Sequence, residues 1–485
     1  MRLIIEARMA DEDSDTVHDG DGVLAVVERR DCSLAHLGLT LAEGRSLLAK
    51  VQAGLVSKQV EWWFSGQTHC RRCGAALSHK DSRSTVLRTV YGKVTVKSPR
   101  LWSCACQQTA RAPRHVVHPL SKALTNRTTP ELEYLQAEWA AHLPYRQATA
   151  MLNEVLPLDK CISFSGTRNR IHALGKKLDA DIERDIAKLP QAGADGQVRK
   201  SSHVTSVSVD SAWLRHCDSG GGLGLRHVNI FAGRAMFKDG PPKVYAYVHK
   251  EVTSAAARLD QFLSRNGVVT DERVTVISDD AGEFEKAVQG SQLARNRILD
   301  WFHIAMKFQA AQRSVFGSKM IDPMERQSVE AEITHAKWLV WHGKGGKAVQ
   351  RIKALDGRLL MREGYEFSTL WWNLNTVSCY LRNNAHTLVN YGARHRKGLP
   401  ISSSIAESAV NQVISHRMAK KRQMRWSDEG AQYMAQVRAA VLNREFSPRR
   451  ILSLEMAASH HRKCIGVAPP RRYRTPNKSD PATIP

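Results

Sequence analysis

Val204-Thr205-Ser206-Val207-Ser208-Val209-Asp210 is the stretch on which the reading of this chain turns. A short apolar run rich in β-branched residues reads as a strand, and a carboxylate closes it. The pattern recurs at Val274-Thr275-Val276-Ile277-Ser278, closed by Asp279. A third acid, Glu407, lies inside Ile405–Met418, where Ala406, Val410 and Val413 give a helical packing stripe and Glu407, Asn411, Ile414 and Met418 trace the adjacent side. Around these, residues 202–315 offer five candidate strands: Val204–Asp210, His227–Phe237, Lys243–His249, Arg273–Ser278 and Ile298–Trp301. Helices are expected at Ser254–Phe262 and Glu283–Val288, and a meander around Gly240-Pro241-Pro242.

Three antiparallel strands, a helix, a strand, a helix and a strand is the order of an RNase H-like fold. In that order strands one and four are neighbours in mid-sheet, so Asp210 and Asp279 are expected to meet. Carboxylates suit hard cations, and two Mg²⁺ ions can polarise an attacking oxygen and neutralise a leaving one in phosphodiester chemistry. Asp210 is the expected bridging ligand, with Asp279 and Glu407 on either side. Each has a plainer alternative: Asp210 as a turn residue, Asp279 or Asp280 as a helix cap, Glu407 as a solvated glutamate. Asp300 and His303 end the fifth strand three residues apart, where His303 could contact the scissile phosphate or orient a ligand, or simply begin a helix.

The formal charge is +24, from 71 Lys and Arg against 47 Asp and Glu, which favours a polyanionic partner such as double-stranded DNA. From Arg382 to Arg425 there are nine basic residues and one acid, Glu407, which is unlike a solvated face of mixed sign. Arg417, Lys420, Lys421, Arg422 and Arg425 are the expected DNA contacts of that stretch. No apolar run is long enough to span a bilayer and no secretory signal is apparent. The expected place is therefore the cytoplasm, with reduced cysteines.

Cys70-Arg71-Arg72-Cys73 and Cys104-Ala105-Cys106 bracket about thirty residues that read as a hairpin, Val86–Tyr91 and Val94–Val96 flanking Gly92-Lys93. Two close cysteine pairs so separated read as a zinc ribbon with structural Zn²⁺, His69 being the alternative ligand. Arg71, Arg72, Lys80, Arg83, Arg88, Lys93, Lys97 and Arg100 surround it with positive charge. Farther on, Tyr145–Leu152, the breaker Leu156–Asp159, a cap at Ser163 or Ser165 and a helix from Thr167 to Lys177 fit a helix-turn-helix. There Thr167, Arg168 and Arg170 could reach base edges, and two ordinary packed helices fit equally well.

The expected architecture is multidomain α/β. It comprises an N-terminal β/helical segment (1–66), a zinc-ribbon-like unit (67–116), a helical DNA-binding unit (117–200), an RNase H-like core in two parts (201–303 and 401–445) and a partly disordered tail (446–485). A helix near Leu41–Phe64 is expected to present Leu41, Leu47, Leu48, Val51, Leu55, Val60 and Trp63 on one apolar face.

Several blocks together resemble DDE transposases of bacterial insertion sequences, the ISKra-type group, related in logic to Mutator-like enzymes. They are Leu39-Thr40-Leu41-Ala42-Glu43, Cys70-x-x-Cys73, Ser98-Pro99-Arg100-Leu101, Thr129-Pro130-Glu131-Leu132, Val209-Asp210, Ile277-Ser278-Asp279, Asp300-x-x-His303 and Ser404-Ile405-Ala406-Glu407. The likeness spans about residues 35–440. It implies donor-end cleavage by water and strand transfer by a 3′-hydroxyl at one metal site, acting on terminal inverted repeats and target DNA. It also implies an all-helical insertion over 304–400, whose Trp338, Trp341, Trp371 and Trp372 could brace a flipped base but are expected to fill its core. The family usually has Gly after the second Asp, where this chain has Asp280. Bringing two ends together suggests a homodimer or larger. Two other functions remain open, a structure-specific RNase H-like nuclease and a domesticated, non-catalytic DNA-binding regulator.

Overall fold

The computed structural model describes residues 1–6, 10–11, 14–17, 22–31, 33–34, 37–108, 114–124, 126–158, 162–189, 204–218, 226–250, 252–269, 274–279, 282–402, 409–418 and 424–454. Strand β1 (Arg2–Glu6) pairs with β4 (Val23–Glu28), and β2 (Ala10–Asp11) with β3 (Ser14–Val17), both antiparallel. Helix α1 (Leu41–Ser65) begins on a capping box: Thr40 Oγ1 accepts from Glu43 N at 3.2 Å, and Thr40 N donates to Glu43 Oε2 at 2.8 Å. Its expected single apolar face divides into two. Ala53, Val56, Val60 and Trp63 pack against Val94, Val96 and Leu120, whereas Leu41, Leu48, Val51 and Leu55 face outward.

The hairpin is longer than expected and its turn lies two residues earlier. Strands β5 (His79–Thr89) and β6 (Gly92–Trp102) register Thr89 against Gly92, so Val90 and Tyr91 form the turn. Gly92 opens β6 at φ +106°, a region an L side chain avoids, and a Cβ there would lie 2.9 Å from Pro157 O. That approach seats the hairpin tip on the segment after α4. A short β7 (Val116–Val117) completes the three-stranded sheet. Helices α2 (Pro119–Ala123), α3 (Pro130–His142), α4 (Tyr145–Val155) and α5 (Phe164–Ala187) follow, the last capped by Ser163.

The central sheet runs β10-β9-β8-β11-β12, from β8 (Val204–His216), β9 (His227–Phe237), β10 (Lys243–Val248), β11 (Val274–Ser278) and β12 (Ala294–Leu299). The first three strands are antiparallel, while β11 is parallel to β8 and to β12. Helices α6 (Val252–Arg265) and α7 (Gly282–Gly290) cover one face over Val207, Val209, Phe231 and Val276. The opposite face, with Leu214, Ile230, Ala232 and Ala246, is covered by α3, α5, a π-helical turn at Val410–Ser415 and the C-terminal helix. Helix α8 (Trp301–Gly317) leads into α9 (Arg326–Trp341), α10 (Gly345–Leu359), α11 (Thr369–Asn383) and α12 (Tyr391–Arg396), which share a core. That helical unit leaves and rejoins the sheet at one place, because Trp301 N donates to Ile401 O at 3.1 Å and Tyr391 OH to Leu299 O at 2.8 Å. Of its tryptophans, Trp341 and Trp371 pack on the core, but Trp338 and Trp372 are exposed, against expectation.

After α13 (His416–Met418) comes β13 (Arg425–Trp426), parallel to the far end of β8, then α14 (Asp428–Leu442) across the sheet. Helices α5 and α14 cross where Gly175 admits the Tyr433 backbone; a Cβ there would sit 2.4 Å from Tyr433 O. Gly175→Ala is therefore expected to lower stability by about 1–3 kcal/mol, measured as a fall in thermal midpoint. Among the described residues no helix is long and apolar enough to cross a membrane.

Candidate functional site

Asp210 stands at the one point of β8 where two pairings meet. The strand does not end there, as expected, but continues six residues along β9 to His216. What ends there is the parallel pairing with β11, whose last partners are Ser278 and Val209. Asp279 and Asp210 are the next residues on the two strands. The pairs Thr275 with Ser206 and Ile277 with Ser208 fix the pleat, so one further step puts both carboxylates on the same side. It is the side on which Val413 and Ile414 pack.

The Asp210 carboxyl titrates above its ordinary value. Burial is the largest cause; the Ser211 N–H opposes it from 2.7 Å, Asp279 and Asp300 add to it, and His303 opposes it. Asp279, Asp300 and His303 are therefore near enough for their charges to act on Asp210, although no three of these four groups bring ligand atoms within 4.8 Å of one another. Asp300 is 2% exposed and caps α8, its Oδ1 accepting from Phe302 N at 2.9 Å, while His303 Nε2 stands 4.0 Å from Asp300 Oδ2. His303 therefore sits at a helix start, with its ring turned toward Asp300.

Glu407 falls outside the described residues, as do Asp280, Lys420, Lys421 and Arg422. On either side of the undescribed residues, Ile401 is tied to Trp301, next to Asp300, and Ala409 is buried in the core beneath β8 and β9.

A residue the sequence reading missed holds the second carboxylate's backbone. Arg297 of β12 donates from Nε to Ser278 Oγ at 2.8 Å and from a terminal nitrogen to Asp279 O at 2.5 Å, while pairing with Glu285 of α7. His386, from the helical unit, approaches the same Glu285 at 3.3 Å. The available signal was an arginine, Arg297, set between Asn296 and the apolar Ile298-Leu299 of the short strand Ala294–Leu299. Arg297→Lys keeps the charge but loses the fork that spans these acceptors. It is expected to lower stability by about 1–3 kcal/mol, measured as a fall in thermal midpoint.

Cys70, Cys73, Cys104 and Cys106 bring their four sulfurs within 4.8 Å of one another, Cys70 to Cys106 at 3.6 Å and Cys73 to Cys104 at 3.4 Å. A tetrahedral zinc with Zn–S near 2.3 Å needs sulfurs about 3.8 Å apart, so the donor set fits and could hold a structural zinc. Backbone N–H groups of Arg72 and Cys73 pull the Cys70 thiol down to about 6. His69 is not part of the cluster; its Nδ1 lies 3.0 Å from Thr68 Oγ1. One other group among the described residues, His216, Cys217 and Asp218, is similarly close, but His216 Nδ1 accepts from Asp218 N at 3.0 Å and Nε2 faces Asp428 at 3.6 Å.

The expected DNA-contacting residues separate clearly. Arg168 and Arg425 are exposed. Thr167 is fully buried between Gln136 and Thr149, and Arg170 turns inward to Gln136 Oε1 at 2.6 Å and Glu133 at 3.3 Å. Arg417 is 1% exposed, donates to Ala140 O at 2.7 Å and lies over the rings of Tyr145 and Trp426. As placed, Arg170 and Arg417 join helices and do not present charge to a ligand, which corrects their expected role. Arg100 is likewise taken up by Asp81, but Lys93 and Lys97 stand exposed on β6, with Arg88 directly across from Lys93. Like charges opposite one another destabilise a hairpin unless an anion screens them. No protein-family model matches this chain, and no curated protein matches it either.

Proposed function

We propose that the protein is a DNA transposase of the DDE type, with an RNase H-like catalytic core and a helical insertion between its fifth strand and the Glu407 segment. The observation that carries this reading is the register that sets Asp210 beside Asp279 on one side of the sheet, with Asp300 and His303 near enough to influence Asp210. Carboxylates are the donors a hard divalent cation requires, and the repulsion of Asp279 on Asp210 is what such an ion relieves. Asp210, Asp279 and Glu407 would hold Mg²⁺. When bound, magnesium supplies polarisation of the attacking oxygen and neutralisation of the leaving oxygen. His303 would hold the scissile phosphate or a proton at the site's edge. The net charge of +24, the exposed Arg168 and Arg425, and the Arg88, Lys93 and Lys97 face favour DNA as the substrate.

The test incubates the full chain with labelled DNA taken from either side of its gene, in Mg²⁺ or in chelator. Magnesium-dependent joining of repeat ends to a second duplex is the expected product. Cleavage without joining would assign a nuclease instead, and specific binding with neither reaction would assign a DNA-binding regulator.

A further inference from the structure

Helix α1 carries a second apolar face that nothing in the described chain covers. Leu41, Leu48, Leu55 and Trp62 are all exposed, Trp62 by 78%, and they recur every seven residues. Val51 lies between Leu48 and Leu55 at the complementary spacing, so Leu41, Leu48, Leu55 and Trp62 occupy a positions and Gly44, Val51 and Lys58 occupy d positions of a heptad. The helix does not need this seam for its own packing. Ala53, Val56, Val60 and Trp63, on the other side, already hold it to β6 and α2. A helix of 25 residues extends about 37 Å, room for more than three heptads.

We propose that this seam pairs with α1 of a second copy of the chain, as an antiparallel two-helix interface. The seven-residue period specifies a helix as partner, because a 3.5-residue repeat matches only another helix wound against it. The d residues specify the direction. Paired in parallel, Lys58 would face Lys58 and Gly44 would face Gly44, setting like charges together and leaving a void. Paired antiparallel, each a position meets a d position of the other chain. Trp62 then lies over Gly44, Leu55 meets Val51, and the aliphatic stem of Lys58 runs along Leu48. The space above Gly44 is open: a Cβ placed there has no atom within 4 Å. The largest side chain of the seam thus covers the smallest, and a two-fold axis repeats the match at the other end.

The test is the mass of the full chain in solution, by sedimentation or light scattering at micromolar concentration. Wild type is expected as a dimer. Leu48→Glu with Leu55→Glu is expected to weaken association at least tenfold, with circular dichroism and thermal midpoint unchanged because both positions face outward. Trp62→Ala alone should weaken it, and Gly44→Trp combined with Trp62→Ala should restore it by exchanging large and small across the axis. A monomeric wild type, or a dimer indifferent to the paired glutamates, would overturn the proposal. Dimer formation without rescue by the exchanged pair would overturn the antiparallel arrangement. Neither readout depends on the magnesium site, so failure here leaves the catalytic reading to its own experiment.

Discussion

Asp210→Asn is expected to stop end joining, with a loss of at least about a thousandfold, or roughly 4 kcal/mol of transition-state stabilisation. The side chain is nearly isosteric, so DNA affinity should stay within a factor of two. Stability should move the other way. Burial and the neighbouring Asp279 raise the Asp210 pKa in the folded chain, so the folded state prefers the protonated form. That preference favours folding below the unfolded pKa and is lost as pH rises through the folded value, which makes ionised Asp210 a cost at neutral pH. The amide carries no charge, so Asp210→Asn should melt higher than wild type near pH 7, and the difference should shrink on acidification. Added Mg²⁺ should raise the wild-type midpoint and leave that of the variant nearly unchanged. A variant that joins ends at wild-type rate removes Asp210 from the mechanism. Glu407→Gln gives the matching measurement for the third carboxylate, and unimpaired joining there would shift attention to Asp300, already buried at the same spot.

The order of the central sheet was legible because each strand carries its own apolar run and a breaker beside it. The extent of β8 was not, because aspartate reads as a terminator. The alternation nevertheless resumes beyond it, with Leu214 and His216 buried and Trp213 outward. β13 escaped for a related reason: Arg425 and Trp426 are too short a pair to show a period, and only β8 running past Asp210 offers them an edge. The arginines mark a deeper limit. Arg168, Arg170 and Arg417 look alike in sequence, yet one faces solvent while the others spend their donors on Gln136, Glu133 and Ala140 O. Which of these happens depends on neighbours hundreds of residues away, as with Arg417 and Ala140. Arg297 shows the converse, since its importance comes from three acceptors that only the folded sheet assembles.

Chelation of zinc, or Cys70→Ser with Cys73→Ser, is expected to release one zinc per chain and to unfold residues 67–117 while the central sheet keeps its melting transition. Away from its tip, where Val90 packs with Leu132, Leu152, Leu158 and Ile162, the hairpin has little else to hold it. Its buried apolar residues are few, chiefly Val94, Val96 and Leu101 with Leu120 beneath, and an isolated sheet of two or three strands is marginal in water. A structural zinc contributes about 10–16 kcal/mol in small domains of this kind, enough to dominate that balance. Without an ion the four thiols compete: backbone donors draw the Cys70 proton away, and the Cys106 thiol is pushed up to about 12, chiefly by its contact with Cys73. With the ion all four would be thiolates, so zinc retention should fall as pH drops. Limited proteolysis reads the outcome, with new cuts confined to the hairpin. Because α1 rests on β6 through Ala53, Val56, Val60 and Trp63, loosening the hairpin should also free α1, and DNA affinity and self-association should weaken together. Zinc content unchanged by the double substitution would assign the cysteines another role, and an unchanged cleavage pattern after zinc loss would mean that packing against α1 alone suffices to hold the sheet.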